Sequence, residues 1–274
     1  MTKQFGEQYE LKRKLSNDSA GDLKKILEAM KNYKPSKEEV EEPPNTTTTQ
    51  GSGLEGMLGF KDITPSDYIM FLKQDGSQFA VTINLEYGGN DWYNQNKLAI
   101  KSKRLVSDIN EAMIMYREVV DSHMNNRMLY HPDGNEVKNK VREDLYNQLT
   151  QNNWQNLNAI FFEKDKDKGI FLMKKAIGLD DKGELIYDSG INVSSPVENG
   201  KLVSLNDFDS NGFPKKVSDL DEFNRDNDIK VYNPANQKVV RLSSGSVISY
   251  LYCGSYPGSG DASLGVRLSI ARGQ

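Results

Sequence analysis

Val239-Val240-Arg241-Leu242-Ser243-Ser244-Gly245-Ser246 and Leu264-Gly265-Val266-Arg267-Leu268-Ser269-Ile270-Ala271-Arg272-Gly273 are two short apolar runs near the C-terminus. In the second, Leu264, Val266, Leu268 and Ile270 alternate with Gly265, Arg267 and Ser269, which is the period of a strand. Residues 239–242 and 247–252 read as further strands. Between the runs lies Gly245-Ser-Val-Ile-Ser-Tyr-Leu-Tyr-Cys-Gly-Ser-Tyr-Pro-Gly-Ser-Gly-Asp-Ala-Ser263. The 35 residues from Val239 to Gly273 contain no Lys, Glu, Gln, Met or Trp, although these types supply 65 of the 274 residues overall. Two readings of this interval stand. Tyr250, Tyr252 and Tyr256 among small residues have the chemistry of an adaptable binding surface, because tyrosine offers broad amphipathic contact at low entropic cost. Equally, a Gly-Ser-rich connector between two core strands would turn its tyrosines inward.

Working outward from there, residues 192–236 are polar with little periodicity, the mark of long irregular structure. Residues 159–162, 170–173 and 185–187 read as strands separated by turns at 165–169 and 180–183. Two helices precede them. Leu105, Ile109, Ala112, Met113, Tyr116, Val119 and Val120 make one apolar stripe at helical period, and Val137, Val141, Leu145 and Leu149 make the other. His131-Pro132-Asp133-Gly134 breaks the chain between them. Earlier still, 68–72 and the alternating Phe79, Val81, Ile83, Leu85 and Tyr87 flank Gln74-Asp75-Gly76, a hairpin pattern. Strand pair, two helices and many short strands make an α+β fold. No internal repeat is present.

The N-terminal part reads differently. Leu23, Ile26, Leu27 and Met30 form one face of a short helix, which docks either on its own domain or on another chain. Residues 35–53 carry Glu38, Glu39, Glu41, Glu42, Pro43-Pro44, four threonines and a Gly-Ser end, too little apolar surface to offset ordering. The organisation expected is a helical attachment arm (1–34), a linker (35–59) and a main domain (60–274).

The charge balance, 35 basic against 39 acidic residues, argues against a role in neutralising nucleic-acid backbones. Only two histidines (His123, His131) and one cysteine (Cys253) occur, which removes Cys-rich zinc modules and internal disulfides. No apolar run is long enough to insert in a membrane, and the first residues lack the apolar core of a signal peptide. The expectation is cytoplasmic synthesis followed by incorporation into a larger particle.

Chemistry-bearing motifs are sparse. Asp207-Phe-Asp209-Ser-Asn211-Gly212 has the oxygen spacing that begins a calcium loop. Ser218 stands where a bidentate Glu is required, so an Asx turn is the competing reading. The histidines have no partner at metal or catalytic spacing. Cys253 as a nucleophile lacks a base beside it in sequence, and no Gly-rich phosphate loop opens a helix.

The two quoted C-terminal runs resemble the ending of C-type-lectin-fold domains, closest to the formylglycine-generating-enzyme branch. That branch closes with an Arg-containing strand, a Gly-Gly-Ser-Trp-like turn, a loop and a Gly-Phe-Arg or Gly-Val-Arg strand. Arg241 and Gly265-Val266-Arg267 match. Ser243-Ser-Gly-Ser-Val247 departs from the turn. The branch includes the variable proteins of diversity-generating retroelements, in which adenines of Asn-type codons are randomised. Such codons cannot become Lys, Glu, Gln, Met or Trp, and every residue from Gly245 to Ser263 falls in the permitted set. Enzymes of this fold use a cysteine pair or a histidine cluster, neither of which this chain has.

The resemblance therefore implies a C-type-lectin-like domain with two helices and a small multi-stranded antiparallel sheet, and a non-enzymatic receptor binder. Its variable segment spans about 240–272. Ser246, Val247, Ile248, Ser249, Tyr250, Leu251, Tyr252, Cys253, Ser255, Tyr256, Ser259, Asp261 and Ala262 are the expected ligand contacts. Arg241, Gly265 and Arg267 are the expected framework. The partners implied are a host-surface protein or glycan, other virion proteins through 1–34 and a further copy of the chain, in a phage tail or virion surface. Calcium at Asp207, Asp209 and Asn211 is the one cofactor the residues admit. A virion assembly subunit that buries its tyrosines, or a metal-assisted enzyme, are the alternatives.

Overall fold

The computed structural model describes residues 57–151, 153–194, 200–215, 224, 226, 228–245 and 248–271. The chain divides into two units, Met1–Gln50 and Gly51–Gln274, and all described residues belong to the second. The attachment arm, the linker up to residue 56, and Ser246 and Val247 lie outside the described residues.

The fold is mixed α and β. Strands β1 (Tyr68–Leu72) and β2 (Gln78–Thr82) form the expected antiparallel hairpin. Its turn suits an Asp-Gly pair: Asp75 Oδ1 accepts the Ser77 N–H at 2.8 Å, and Gly76 takes φ +85. The strand expected to continue to Tyr87 ends at Thr82. Strand β2 lies between β1 and the C-terminal strand β13 (Leu268–Ala271), and side chains on both its faces are buried. Phe79 and Val81 join the main core, while Ala80 packs with Tyr68 and Ile270. The alternation in sequence there does not separate core from solvent. Strand β3 (Leu105–Val106) completes a four-stranded sheet of order β1-β2-β13-β3.

Leu105 is thus in a strand, not on the helical stripe. The helix starts later because Asp108 caps it: Asp108 Oδ1 accepts the Glu111 N–H at 2.8 Å, and the Glu111 carboxylate accepts the Asp108 N–H. The two expected helices are Ile109–Asn125 and Asn139–Gln151. An additional helix, Trp92–Lys101, precedes them; the three are α1 (Trp92–Lys101), α2 (Ile109–Asn125) and α3 (Asn139–Gln151). The buried face of α1 is Trp92, Gln95, Asn96 and Ala99. Half of that face is polar, so no apolar stripe betrays it.

Most remaining strands join one seven-stranded sheet. Its members are β4 (Asn153–Asp165), β5 (Ile170–Lys174), β8 (Ile191–Ser194), β9 (Lys201–Ser204), β10 (Asp228–Tyr232), β11 (Lys238–Ser244) and β12 (Ser249–Ser255). The order is β8-β5-β4-β11-β12-β10-β9, and β6 (Ala176–Leu179) and β7 (Leu185–Tyr187) pair separately. This corrects the small multi-stranded antiparallel sheet that the resemblance implies. The chain beyond Ser255 leaves for the four-stranded sheet, so the next neighbour of β12 is β10, from a distant segment. No hairpin imposes direction on that pair, and it is parallel. The supposedly irregular stretch 192–236 contributes β8, β9 and β10.

One face of the large sheet carries the core. Leu157, Ala159, Phe161, Val240, Leu242, Leu251 and Cys253 pack with Met113, Tyr116 and Val120 of α2 and Leu145 and Leu149 of α3. At one end of the opposite face, Ile160 and Val239 lie under Trp92 and Ala176. Toward the other end of that face, Trp154 and Tyr252 are exposed.

Candidate functional site

Strand β12 sorts its side chains by the two-residue period of a pleated strand. Ser249, Leu251 and Cys253 point inward and are buried, and Ser255, past a register shift and paired with Val239, is buried as well. Tyr250 is half-buried on the outer face, and Tyr252 is 42% exposed. Just past the strand, Tyr256 is 67% exposed, and Ser259, Asp261 and Ala262 lie on the surface. Four expected ligand contacts are therefore corrected: Ser249, Leu251, Cys253 and Ser255 belong to the interior. Ser249 Oγ and the Tyr116 hydroxyl share a hydrogen bond of 2.7 Å. Ile248 is half-buried in the turn that Gly245 N–H closes on its carbonyl at 3.0 Å.

Strand register brings residues from elsewhere beside the tyrosines. Tyr250 stands between Ser243 of β11 and Lys230 of β10, and Ser243 is paired on its other side with Trp154. Tyr252 stands between Arg241 and Tyr232. Tyr232 meets Tyr252 edge-on with centroids 5.3 Å apart, and Tyr250 at 6.1 Å. Lys230 Nζ lies 5.9 Å from the Tyr232 ring. Trp154 is 46% exposed. Sequence reasoning found none of Trp154, Lys230 and Tyr232, because their proximity depends on pairings between strands far apart in the chain.

Beyond Tyr256 the surface dips into a groove of ≈ 740 Å³ whose walls include Tyr93, Phe162, Tyr187, Lys238 and Tyr256. Lys238 Nζ lies over the Tyr256 ring, 2.9 Å from its centroid. Burial, with Tyr93 and Glu184 nearby, pushes the Tyr187 phenol up to about 12. It stays a neutral donor at ordinary pH.

The expected framework residues sit beneath this surface. Arg267 is buried; it donates to Thr82 O at 2.9 Å, to Ile83 O, and to Gln148 Oε1 at 2.9 Å. Burial lowers its pKa to about 10. A Cβ on Gly265 would lie 2.9 Å from Leu85 Cβ and 3.0 Å from Glu86 O, so the strands meet there only because it is glycine. Arg241 is partly buried, which lowers its pKa; Asp261 works against that shift. Asp261 itself is held below the usual carboxylate range by the Ser263 hydroxyl and N–H.

At the calcium candidate, Asp207, Asp209 and Asn211, the structure shows the Asx turn that is the competing reading. Asp209 Oδ1 accepts the N–H groups of Asn211 and Phe213, each at 2.8 Å, and Phe208 bridges Pro214. This is an Asx turn, and its Gly212 (φ +80) lies so close to Ile109 and Asn110 that a Cβ would come within 2.5 Å of Asn110 N. Among the described residues no group of three Asp, Glu, His or Cys is placed to hold a metal ion. His131 Nδ1 lies 2.7 Å from Tyr68 O, and His123 stacks on Tyr146. Cys253 is buried with its thiol pKa raised by desolvation, which removes the thiolate a nucleophile needs. Among the described residues no helix is long and apolar enough to cross a membrane.

No family model, curated protein or solved structure matches this chain.

Proposed function

We propose that this chain is a non-enzymatic target-binding protein that displays a diversified C-terminal surface on a C-type-lectin-like scaffold. Its setting is a virion, as a phage tail or surface component that attaches to a host-surface macromolecule. The N-terminal arm joins it to other virion proteins.

The observation that carries this reading is the division of labour along β12 and the loop after it. Tyr252 and Tyr256 face solvent, while Leu251 and Cys253 are fully inside. The interval that lacks Lys, Glu, Gln, Met and Trp thus supplies both the seat in the core and the exposed aromatic groups. Aromatic side chains on a stiff support are what energetically dominant contacts are made of.

The test is at the level of DNA and cells. The source genome is expected to hold a near-copy of the codons for residues 240–272 beside a reverse-transcriptase gene, differing at adenines. Labelled full-length protein is expected to decorate host cells, and a Tyr252→Ala/Tyr256→Ala variant is not. A complete genome without such a repeat overturns the diversification, and equal decoration by the variant overturns the surface.

A further inference from the structure

The stretch 256–265, which leaves β12 for the four-stranded sheet, is gripped by its main chain. Pro257 O accepts the Trp92 N–H at 2.9 Å, and Asp261 O accepts the Gly89 N–H at 3.0 Å. Arg241 Nη2 donates to Ser259 O at 3.2 Å and reaches Tyr256 O at 3.5 Å. Leu264 O accepts Gln95 Nε2 at 2.9 Å, and Gly265 O accepts the Asn156 N–H at 3.0 Å.

The side-chain donors are not independent. Arg241 Nε donates to Asn156 Oδ1 at 3.0 Å, Asn156 Nδ2 donates to Gln95 Oε1 at 2.7 Å, and Gln95 Nε2 goes on to Leu264 O. Asn156 and Gln95 are buried. The direction of this relay is forced. A guanidinium only donates, so Asn156 must turn its oxygen to Arg241 and its NH₂ to Gln95. Gln95 must then accept, which leaves its own NH₂ for the loop carbonyl. A relay of fully paired buried amides holds one arrangement, because any flip leaves a buried polar atom alone.

Close approach adds a second constraint. A Cβ on Gly88 would lie 2.9 Å from Ala262 O, and one on Gly260 would lie 3.1 Å from Gly89 O. The 86–91 turn and the 258–263 loop are therefore in backbone contact.

We infer that Gln95 and Asn156 are positioning residues that set the shape of the 256–265 loop from outside it, through its carbonyl groups. Replacing Tyr256, Ser259 or Ala262 leaves that shape in place, whereas Gly260 is held as glycine. The purpose of such a device rests on the binding role proposed above. The geometry does not.

Hydrogen exchange on the full chain, followed by mass spectrometry of peptides spanning 256–266, tests this. Asn156→Asp keeps the shape of the side chain and strengthens its pairing with Arg241, but it presents an acceptor to Gln95 Oε1 and breaks the relay. A residue that merely fills space would tolerate that change. The expected result is exchange across 256–266 faster by about ten-fold or more in Asn156→Asp, with peptides of β1 and β2 unchanged. A Tyr256→Ser/Ser259→Ala/Ala262→Ser variant is expected to stay within about two-fold of the parent. Gln95→Leu, which cannot relay at all, is the second probe. Unchanged loop exchange in Asn156→Asp, or equal loosening by the triple variant, overturns the inference. Neither result depends on host binding, so failure of the binding proposal and failure of this one are separately visible.

Discussion

Leu251 and Tyr252 are neighbours on β12, yet Leu251 is fully buried against the helices and Tyr252 is 42% exposed on the far side of the sheet. Their truncations should therefore separate. Leu251→Ala is expected to cost about 2–5 kcal/mol, the range for opening a cavity in a packed core. Tyr252→Ala is expected to change stability by less than about 1 kcal/mol, since it leaves the core intact. Urea unfolding of both variants checks the pair, and similar losses would mean that β12 is not divided as described.

Cys253 lies on the same inward row. Burial raises its thiol pKa, so little thiolate forms and none is accessible. Ellman's reagent at pH 8 should label it about a thousand-fold more slowly in the native protein than in urea, because labelling waits on opening. Rapid native labelling would place the thiol at the surface.

Among the described residues Arg267 is the largest charged side chain wholly buried, and it holds the carbonyls of Thr82 and Ile83 together with Gln148. Replacing it by Met removes the charge but strands those acceptors. The expected loss is about 3 kcal/mol or more, read from urea midpoints. Arg267→Lys should recover only part of it, since a single ammonium cannot reproduce the planar fork.

Asp108 sets the acid response of the α2 cap. Burial pushes its pKa up, but Lys175 at 2.5 Å and the Glu111 N–H outweigh that, and the carboxyl is held below its ordinary 3.8. A lowered carboxylate contributes stability that is complete above 3.8 and is lost as pH falls through the folded value. Glu111 runs the other way: burial and Asp108 raise it, so its ionisation opposes folding as pH rises above its usual 4.5. The stability gap between wild type and Asp108→Asn should thus be widest near neutrality and shrink below 3.8. Unfolding at pH 7, 4 and 2.5 measures it, and a gap independent of pH would remove the Lys175 pair as its cause.

Periodicity was a good guide where one face met the core and the other met water. It placed α2, α3 and the β1–β2 hairpin, and it identified Arg241 as a member of a strand, whereas the strand expected over 264–270 begins only at Leu268 and leaves Arg267 just before it. It did poorly where both faces are covered. Residues 79–82 and 264–270 alternate in sequence but are buried throughout, and α1 hides behind Gln95 and Asn96, whose burial is made tolerable by hydrogen bonds. The candidate surface was half legible. Tyr250, Tyr252 and Tyr256 were visible as types, but a contiguous list of contacts ignored the pleat that turns Ser249, Leu251 and Cys253 inward and the register shift that buries Ser255 opposite Val239.

What the amino-acid sequence determined alone was the α+β composition, the hairpin turn at Asp75-Gly76 and an unusual C-terminal interval rich in tyrosine and small residues. These follow from local rules, because backbone preference and side-chain period act within a few residues. What only the tertiary structure decided was the company those tyrosines keep. Trp154, Lys230 and Tyr232 reach them through strand register, and Gln95 and Asn156 reach the adjoining loop through a relay across α1, β4 and β11. Those contacts are set by which strands pair and by the partners that buried Gln95 and Asn156 find across the fold, conditions that leave no trace in any one segment.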